Sequence, residues 1–186
     1  MKALVLDVET TGLLLPELAV SAQPRIIEIG ALLLDAVTCD TFDVYASLVH
    51  PGERITEEIT KITGITNENV KDAPRIDKHI EPLRKLFAQA QMLVAHNLPF
   101  DKGVLCAELA RVEYARNDHT LGEWPWPEIE ICTVQAYMHE WGRRMKLTEL
   151  YERKMKRPLA QTHRALDDVN ALVEVLKQDG TLKVFV

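Results

Sequence analysis

The sequence predicts a single α/β domain with a mixed sheet over residues 1–186. Three observations carry this reading. Short apolar runs bounded by polar residues fill the first fifty positions, segments with helical periodicity take over after Pro51, and no low-complexity tract, internal repeat or long linker divides the chain. At 186 residues, 47% hydrophobic and 27% charged, the chain has the size and composition of one globular domain with a core of useful size.

Residues 3–8 read as a buried strand, Ile26 to Leu34 as a second and Thr41 to Val49 as a third; their spacing suggests an antiparallel meander. Helical patterns follow at Thr56–Thr63 and Ile76–Ala90, then a short strand at Met92–Ala95. A helix begins near Phe100, just after Pro99, since proline commonly precedes or opens a helix. The stretch 118–127 is rich in turn residues, and its tryptophans, Trp124 and Trp126, read as aromatic packing under a loop. Further helices are expected at Val134–Trp141, Lys146–Met155 and from Ala165 to about Gln178, the last ended by Gly180.

Several classes of protein are excluded. No apolar run approaches the roughly 20 residues that cross a bilayer, and the N-terminus meets Asp7 too soon for a secretory signal, so a cytoplasmic protein is expected. Cys39, Cys106 and Cys132 are odd in number and far apart, which argues against a disulfide framework or structural zinc and for reduced core thiols. The net charge of −6 is unusual for a protein that meets phosphates, but roughly two bound divalent cations would bring it near −2. Between Arg143 and Arg157 stand seven basic residues, either a phosphate-contacting surface or a solvated helix face.

The residues that carry chemistry are acids. Asp7 and Glu9 flank Val8 at a strand end, so both carboxylates point to one face. Like charges there repel and lose hydration. A bridging divalent cation relieves this, whereas a strand end that has reached water needs no relief. Thr10-Thr11-Gly12-Leu13 then forms a tight turn whose N–H groups can face a ligand. Asp101 stands in the first turn of a helix, where capping alone accounts for it. On the last helix, Asp167 shares a polar face with Asn170, Glu174 and Gln178, while Asp168 lies at the edge of the apolar face made by Ala165, Val169, Leu172, Val173 and Leu176. Asp168 therefore points inward and Asp167 to water. His163 lies five residues earlier, on the approach loop after Pro158, where an imidazole can take a proton from water.

Asp7-x-Glu9-Thr10-Thr11-Gly12, Asn97-x-x-Phe100-Asp101 and His163-x-x-x-x-Asp168 resemble the three motifs of the DEDD exonuclease superfamily, histidine branch, best known from proofreading subunits of bacterial replicative polymerases. Arg25-Ile26-Ile27-Glu28-Ile29-Gly30 and Ile62-Thr63-Gly64-Ile65-Thr66 extend the resemblance over nearly the whole chain. It implies an RNase H-like fold with a mixed five-stranded sheet, the first three strands antiparallel and helices on its flanks. It implies that Asp7, Glu9, Asp101 and Asp168 hold two Mg²⁺ or Mn²⁺ ions, with His163 as general base, and that Thr10, Leu13, Glu58, Thr63, His96 and Asn97 lie along the substrate. Leu13 would rest on the terminal base and Glu58 near the terminal nucleotide. Thr63 departs from the histidine that such relatives usually carry there, which touches a substrate contact and not the metal site.

The function implied is metal-dependent 3′–5′ hydrolysis of DNA, at single-stranded or frayed ends, to nucleoside 5′-monophosphates. An exoribonuclease of the same fold is the alternative. A non-catalytic binding subunit would be expected to lack a ligand, and all five catalytic positions are present. Only six residues follow Gly180, so a stand-alone enzyme, or one docking on a polymerase through its domain surface, is expected.

Overall fold

The computed structural model describes residues 1–117, 121, 123–160, 163–180 and 182. Part of the turn-rich stretch at 118–127 and most of the segment after Gly180 lie outside the described residues. The sheet has five strands in the order β3-β2-β1-β4-β5: β1 (Lys2–Thr10), β2 (Ile26–Asp35), β3 (Thr41–Leu48), β4 (Met92–Ala95) and β5 (Ile129–Cys132). Strands β1 to β3 form the antiparallel meander, and β4 and β5 add on parallel to β1. The sheet is mixed, as the sequence pattern requires. Strand β5 was not located by that pattern, because Ile-Glu-Ile-Cys is only four residues long and follows a proline-rich turn.

The helices are α1 (Glu57–Thr63), α2 (Asn67–Val70), α3 (Ile80–Phe87), α4 (Leu98–Arg116), α5 (Thr133–Trp141), α6 (Leu147–Met155) and α7 (Ala165–Asp179). Thr56 caps α1 and Gly64 ends it in the left-handed conformation at φ 70°. The single helix expected over Ile76–Ala90 is instead a 3₁₀ turn at Ile76–Lys78 followed by α3. The one-turn α2 also escaped notice, for a four-residue helix has no period to read.

Alternation along β1 sends residues to two different cores. Leu4, Leu6 and Val8 pack with α3 and α4 through Leu83, Phe87, Leu105 and Leu109. Ala3 and Val5 pack on the other face with α6 and α7 through Leu150, Val169, Leu172 and Leu176. Asp7 and Glu9 continue the second series and so face α7. Trp124 and Trp126 each pack edge-on against Phe87, with ring centroids 5.4 Å apart, as structural aromatics. Of the cysteines, Cys132 is buried, but Cys106 is exposed on α4, so the reading of all three as core thiols is corrected. Among the described residues no helix is long and apolar enough to cross a membrane.

Helix α7 approaches the sheet very closely at one point. A Cβ on Gly30 would stand 2.4 Å from the carbonyl carbon of Ala165 and 2.5 Å from the nitrogen of Leu166. Both are backbone atoms, so the clash can be relieved only by moving the helix. Gly30→Ala is expected to destabilise the fold by about 3 kcal/mol or more, which chemical denaturation would measure; wild-type stability would show that α7 can retreat.

Candidate active site

The site forms where the carboxyl ends of β1 and β4 meet. The chain passes from β3 on one side of β1 to β4 on the other, and clefts in α/β sheets open where the strand order reverses in this way. Strand pairing slips by one residue between Glu9 and Thr10, and Thr10 then turns the chain by donating from its buried hydroxyl to the Gly12 carbonyl at 2.7 Å.

Carboxylate oxygens of Asp7, Glu9 and Asp168 lie within 4.8 Å of one another. Asp101 reaches the same place from the first turn of α4, and its Oδ1 accepts a hydrogen bond from the Val8 amide at 3.2 Å. That bond ties the acid to the strand segment between Asp7 and Glu9. Asp168 is buried at 8% exposure, whereas its neighbour Asp167 is exposed, so the two adjacent acids have different environments.

These carboxyls resist ionisation. Burial, then Asp168, Glu28 and Asp101, push Glu9 up to about 8, although the Arg164 guanidinium opposes the shift. Burial raises Asp101 to about 7 against the lowering effect of the Val8 amide and its own backbone amide. Asp7 is raised well above the carboxylate range by burial, then by Asp101 and Glu9. Acids gathered so closely without compensating cations are a high-energy arrangement, and an all-oxygen donor set suits a hard divalent ion. The residues present therefore fit such an ion.

His163 lines this cleft of about 370 Å³ together with Asp7, Glu9, Asp101 and Asp168. It is exposed, with backbone φ 50°, a left-handed conformation uncommon for a residue other than glycine. The preceding pair, Gln161 and Thr162, lies outside the described residues, so the approach loop is described only from His163 onward. His96 lies on the wall too, but its ring is engaged on both sides. Nδ1 stands 3.0 Å from the Thr133 hydroxyl and Nε2 3.0 Å from the Met145 carbonyl. Because a carbonyl only accepts, Nε2 carries the proton and Nδ1 accepts from Thr133. Burial lowers the pKa of His96, in keeping with a neutral ring. His96 thus braces the start of α5 and the Met145 backbone while lining the cleft.

A second groove, of about 750 Å³, continues from the first through Val8, Glu9 and Phe100. Leu13 stands on its rim at 78% exposure, with Ile62 at 51%, and Glu58 on its wall. Thr63 is only 2% exposed; its hydroxyl donates to the Ile59 carbonyl at 3.0 Å and accepts from the Ile65 amide at 3.1 Å. That hydroxyl is satisfied within the turn, while Thr63 still forms part of the groove lining. Asn97 keeps its carbonyl oxygen on Arg144 at 3.1 Å.

The basic run between Arg143 and Arg157 is mostly engaged in ion pairs. Arg143 and Arg153 bind Glu149, Lys154 binds Glu140 and Asp179 at 2.9 Å each, and Arg157 binds Glu174 at 2.6 Å. Arg144 instead donates to Asn97, and Lys146 stands on the wall of the acidic cleft.

The family model RNase_T, described as exonuclease, matches residues 4–176. The chain belongs to this exonuclease family. With it come the DEDD superfamily and the RNase H-like fold. A Mycobacterium tuberculosis protein (strain CDC 1551 / Oshkosh) named as a bifunctional exonuclease/endonuclease is 34% identical over 92% of the chain and 25% of its own length. A PolC-type DNA polymerase III of Clostridium perfringens (strain 13 / Type A) is 32% identical over 93% of the chain and 11% of its own length. This DEDD exonuclease chain thus spans a quarter or less of the two relatives. The nuclease domain of 3'hExo, a DEDDh family member bound to rAMP, superposes with a TM-score of 0.70 at 17% identity, over 96% of this chain and 92% of that one.

Proposed function

We propose that residues 1–186 form a single exonuclease domain that removes nucleotides from the 3′ end of DNA as nucleoside 5′-monophosphates. The observation that carries this is the convergence of Asp7, Glu9, Asp101 and Asp168 with His163 at the end of a groove. In this reading the four carboxylates hold two divalent cations, Mg²⁺ or Mn²⁺. When bound, the cations supply positive charge to the phosphate and acidify the attacking water.

The residues of the chain do the rest. His163 accepts the proton of that water, and its exposure lets it release the proton to solvent. Leu13 and Ile62 offer apolar surface to the terminal base, and Glu58, one turn before Ile62 on α1, lines the same groove. Arg144 and Lys146 hold the phosphate backbone, while His96 braces the loop that carries them. DNA is favoured because the PolC-type relative is a DNA polymerase, which also makes a polymerase the partner class to test. RNA is the second reading, drawn from the neighbour bound to rAMP.

Incubation with 3′-labelled single-stranded DNA and RNA, with Mg²⁺, Mn²⁺ or EDTA, tests this directly. Label is expected to leave as mononucleotide only with metal, and from DNA faster than from RNA. Intact polymer under every condition would overturn the proposal. His163→Ala should retain Mn²⁺ and DNA binding but lose about 10²–10⁴-fold in turnover, the usual worth of a general base; undiminished turnover removes His163 from the chemistry.

A further inference from the structure

Glu28 sits on β2 directly opposite Glu9 of β1, facing the same side of the sheet, yet it does not belong to the carboxylate cluster. Like charges placed opposite one another across a strand pair are unfavourable without a counter-charge. Here the counter-charge is Arg164. Its Nε donates to both Glu28 oxygens at 2.9 and 3.0 Å, and a terminal guanidinium nitrogen donates to the same group. Glu28 also accepts from the Ala165 amide at 3.0 Å. That amide opens α7, where no side chain of the helix's own N-cap residue offers a bond. Glu28 thus caps α7 from a strand 137 residues away in sequence.

What this latch holds is the second half of the active site. Arg164 directly follows His163, whose left-handed backbone fixes the direction in which the imidazole leaves the chain. Asp168 lies one turn into α7, and its amide donates to the Arg164 carbonyl at 3.0 Å. Gly30, two residues along on the same face of β2, lets the helix start come down onto the strand. Glu28 is only 6% exposed, and its geometry leaves little play.

We propose that Glu28, through Arg164 and the Ala165 amide, is the positioning residue of the active site, setting where His163 and Asp168 stand relative to Asp7 and Glu9. This rests on the proposed nuclease function for its kinetic readout but not for its binding readout. Arg164→Lys keeps the charge and loses the two-pronged geometry; Glu28→Gln keeps the shape and loses the charge. Both folded variants are expected to lose about 10–100-fold in kcat on 3′-labelled DNA, with KM within about threefold of wild type, and about tenfold in Mn²⁺ affinity by calorimetry without substrate. Melting curves establish that each variant is folded. Should Glu28→Gln fail to fold, Arg164→Lys alone decides. A folded Arg164→Lys with wild-type kcat and wild-type Mn²⁺ affinity overturns the proposal, as does a loss confined to KM. If the wild type cleaves neither polymer while both variants still bind Mn²⁺ more weakly, the nuclease reading falls and the positioning role stands.

Discussion

Asp7→Asn is expected to abolish cleavage and, at the same time, to make the metal-free protein harder to melt. Both effects have one origin. Asp7 is held beside Asp101, Glu9 and Asp168, and its carboxyl is raised well above the carboxylate range by burial and then by those neighbours. Asparagine keeps the shape and removes the cost of either ionising or protonating a buried carboxyl among like neighbours. Each kcal/mol of that cost relieved should raise the melting temperature at pH 8 by about 2–4 °C for a chain of this size. For turnover the loss is severe. A metal site contributes several kcal/mol to the transition state, so crippling it should lower kcat by about a thousandfold or more. Parallel melting curves in EDTA and single-turnover assays in Mn²⁺ would measure the two effects. A variant that is inactive because it is less stable would contradict this account, since it predicts inactivity with a gain in stability.

The second large effect is a pH-dependent stabilisation by divalent cations. In the fold Glu9 is pushed up to about 8 and Asp101 to about 7, against ordinary values of 4.5 and 3.8. Between those limits the folded, metal-free protein holds protons that the unfolded chain has released. The folded state therefore loses stability as pH rises from about 4 to about 8, because it binds more protons than the unfolded state throughout that window. Buried His79 and half-buried His96 act in the opposite direction: their lowered pKa values make stability grow with pH up to about 6.5. The interval from pH 7 to 8.5 isolates the carboxylates. In EDTA the melting temperature should fall across it, and saturating Mn²⁺ should raise it by about 5–10 °C at pH 8, at concentrations near a hundredfold over Kd. At pH 5.5 protons compete for the same oxygens and the gain should be much smaller. An equal gain at both pH values would show that the cation binds elsewhere.

Much of this architecture is legible in the sequence because its parts are local. Apolar runs at residues 3–8 and 26–34 are long enough to mark β1 and β2, and the steady period of α7 separates Asp168 from Asp167 by face alone. Asp101 was different. A first-turn aspartate is accounted for by capping, and only its match to a family motif singled it out before the Val8 bond came into view. What stayed hidden depends on contacts between distant segments. Nothing in the run from Arg143 to Arg157 discloses that Glu140, Glu174 and Asp179, all outside it, would pair with Lys154 and Arg157. The contacts of the His96 ring with Thr133 and Met145 join segments 37 and 49 residues away. Glu28 and Arg164 are 136 residues apart and meet only once α7 has settled on β2.

The switch of strand direction at β1 divides the site by resistance to local opening. Asp7 and Glu9 sit on a strand hydrogen-bonded to neighbours on both sides, and the Val8 amide between them is further tied to Asp101. His163 and Asp168 stand instead at the start of α7, whose opening amide is capped by the Glu28 carboxylate. Amide hydrogens over residues 3–8 should accordingly exchange only through deep unfolding, and those at the start of α7 through a shallower opening. A domain built this way can open its carboxylate cluster from one side without unfolding its sheet.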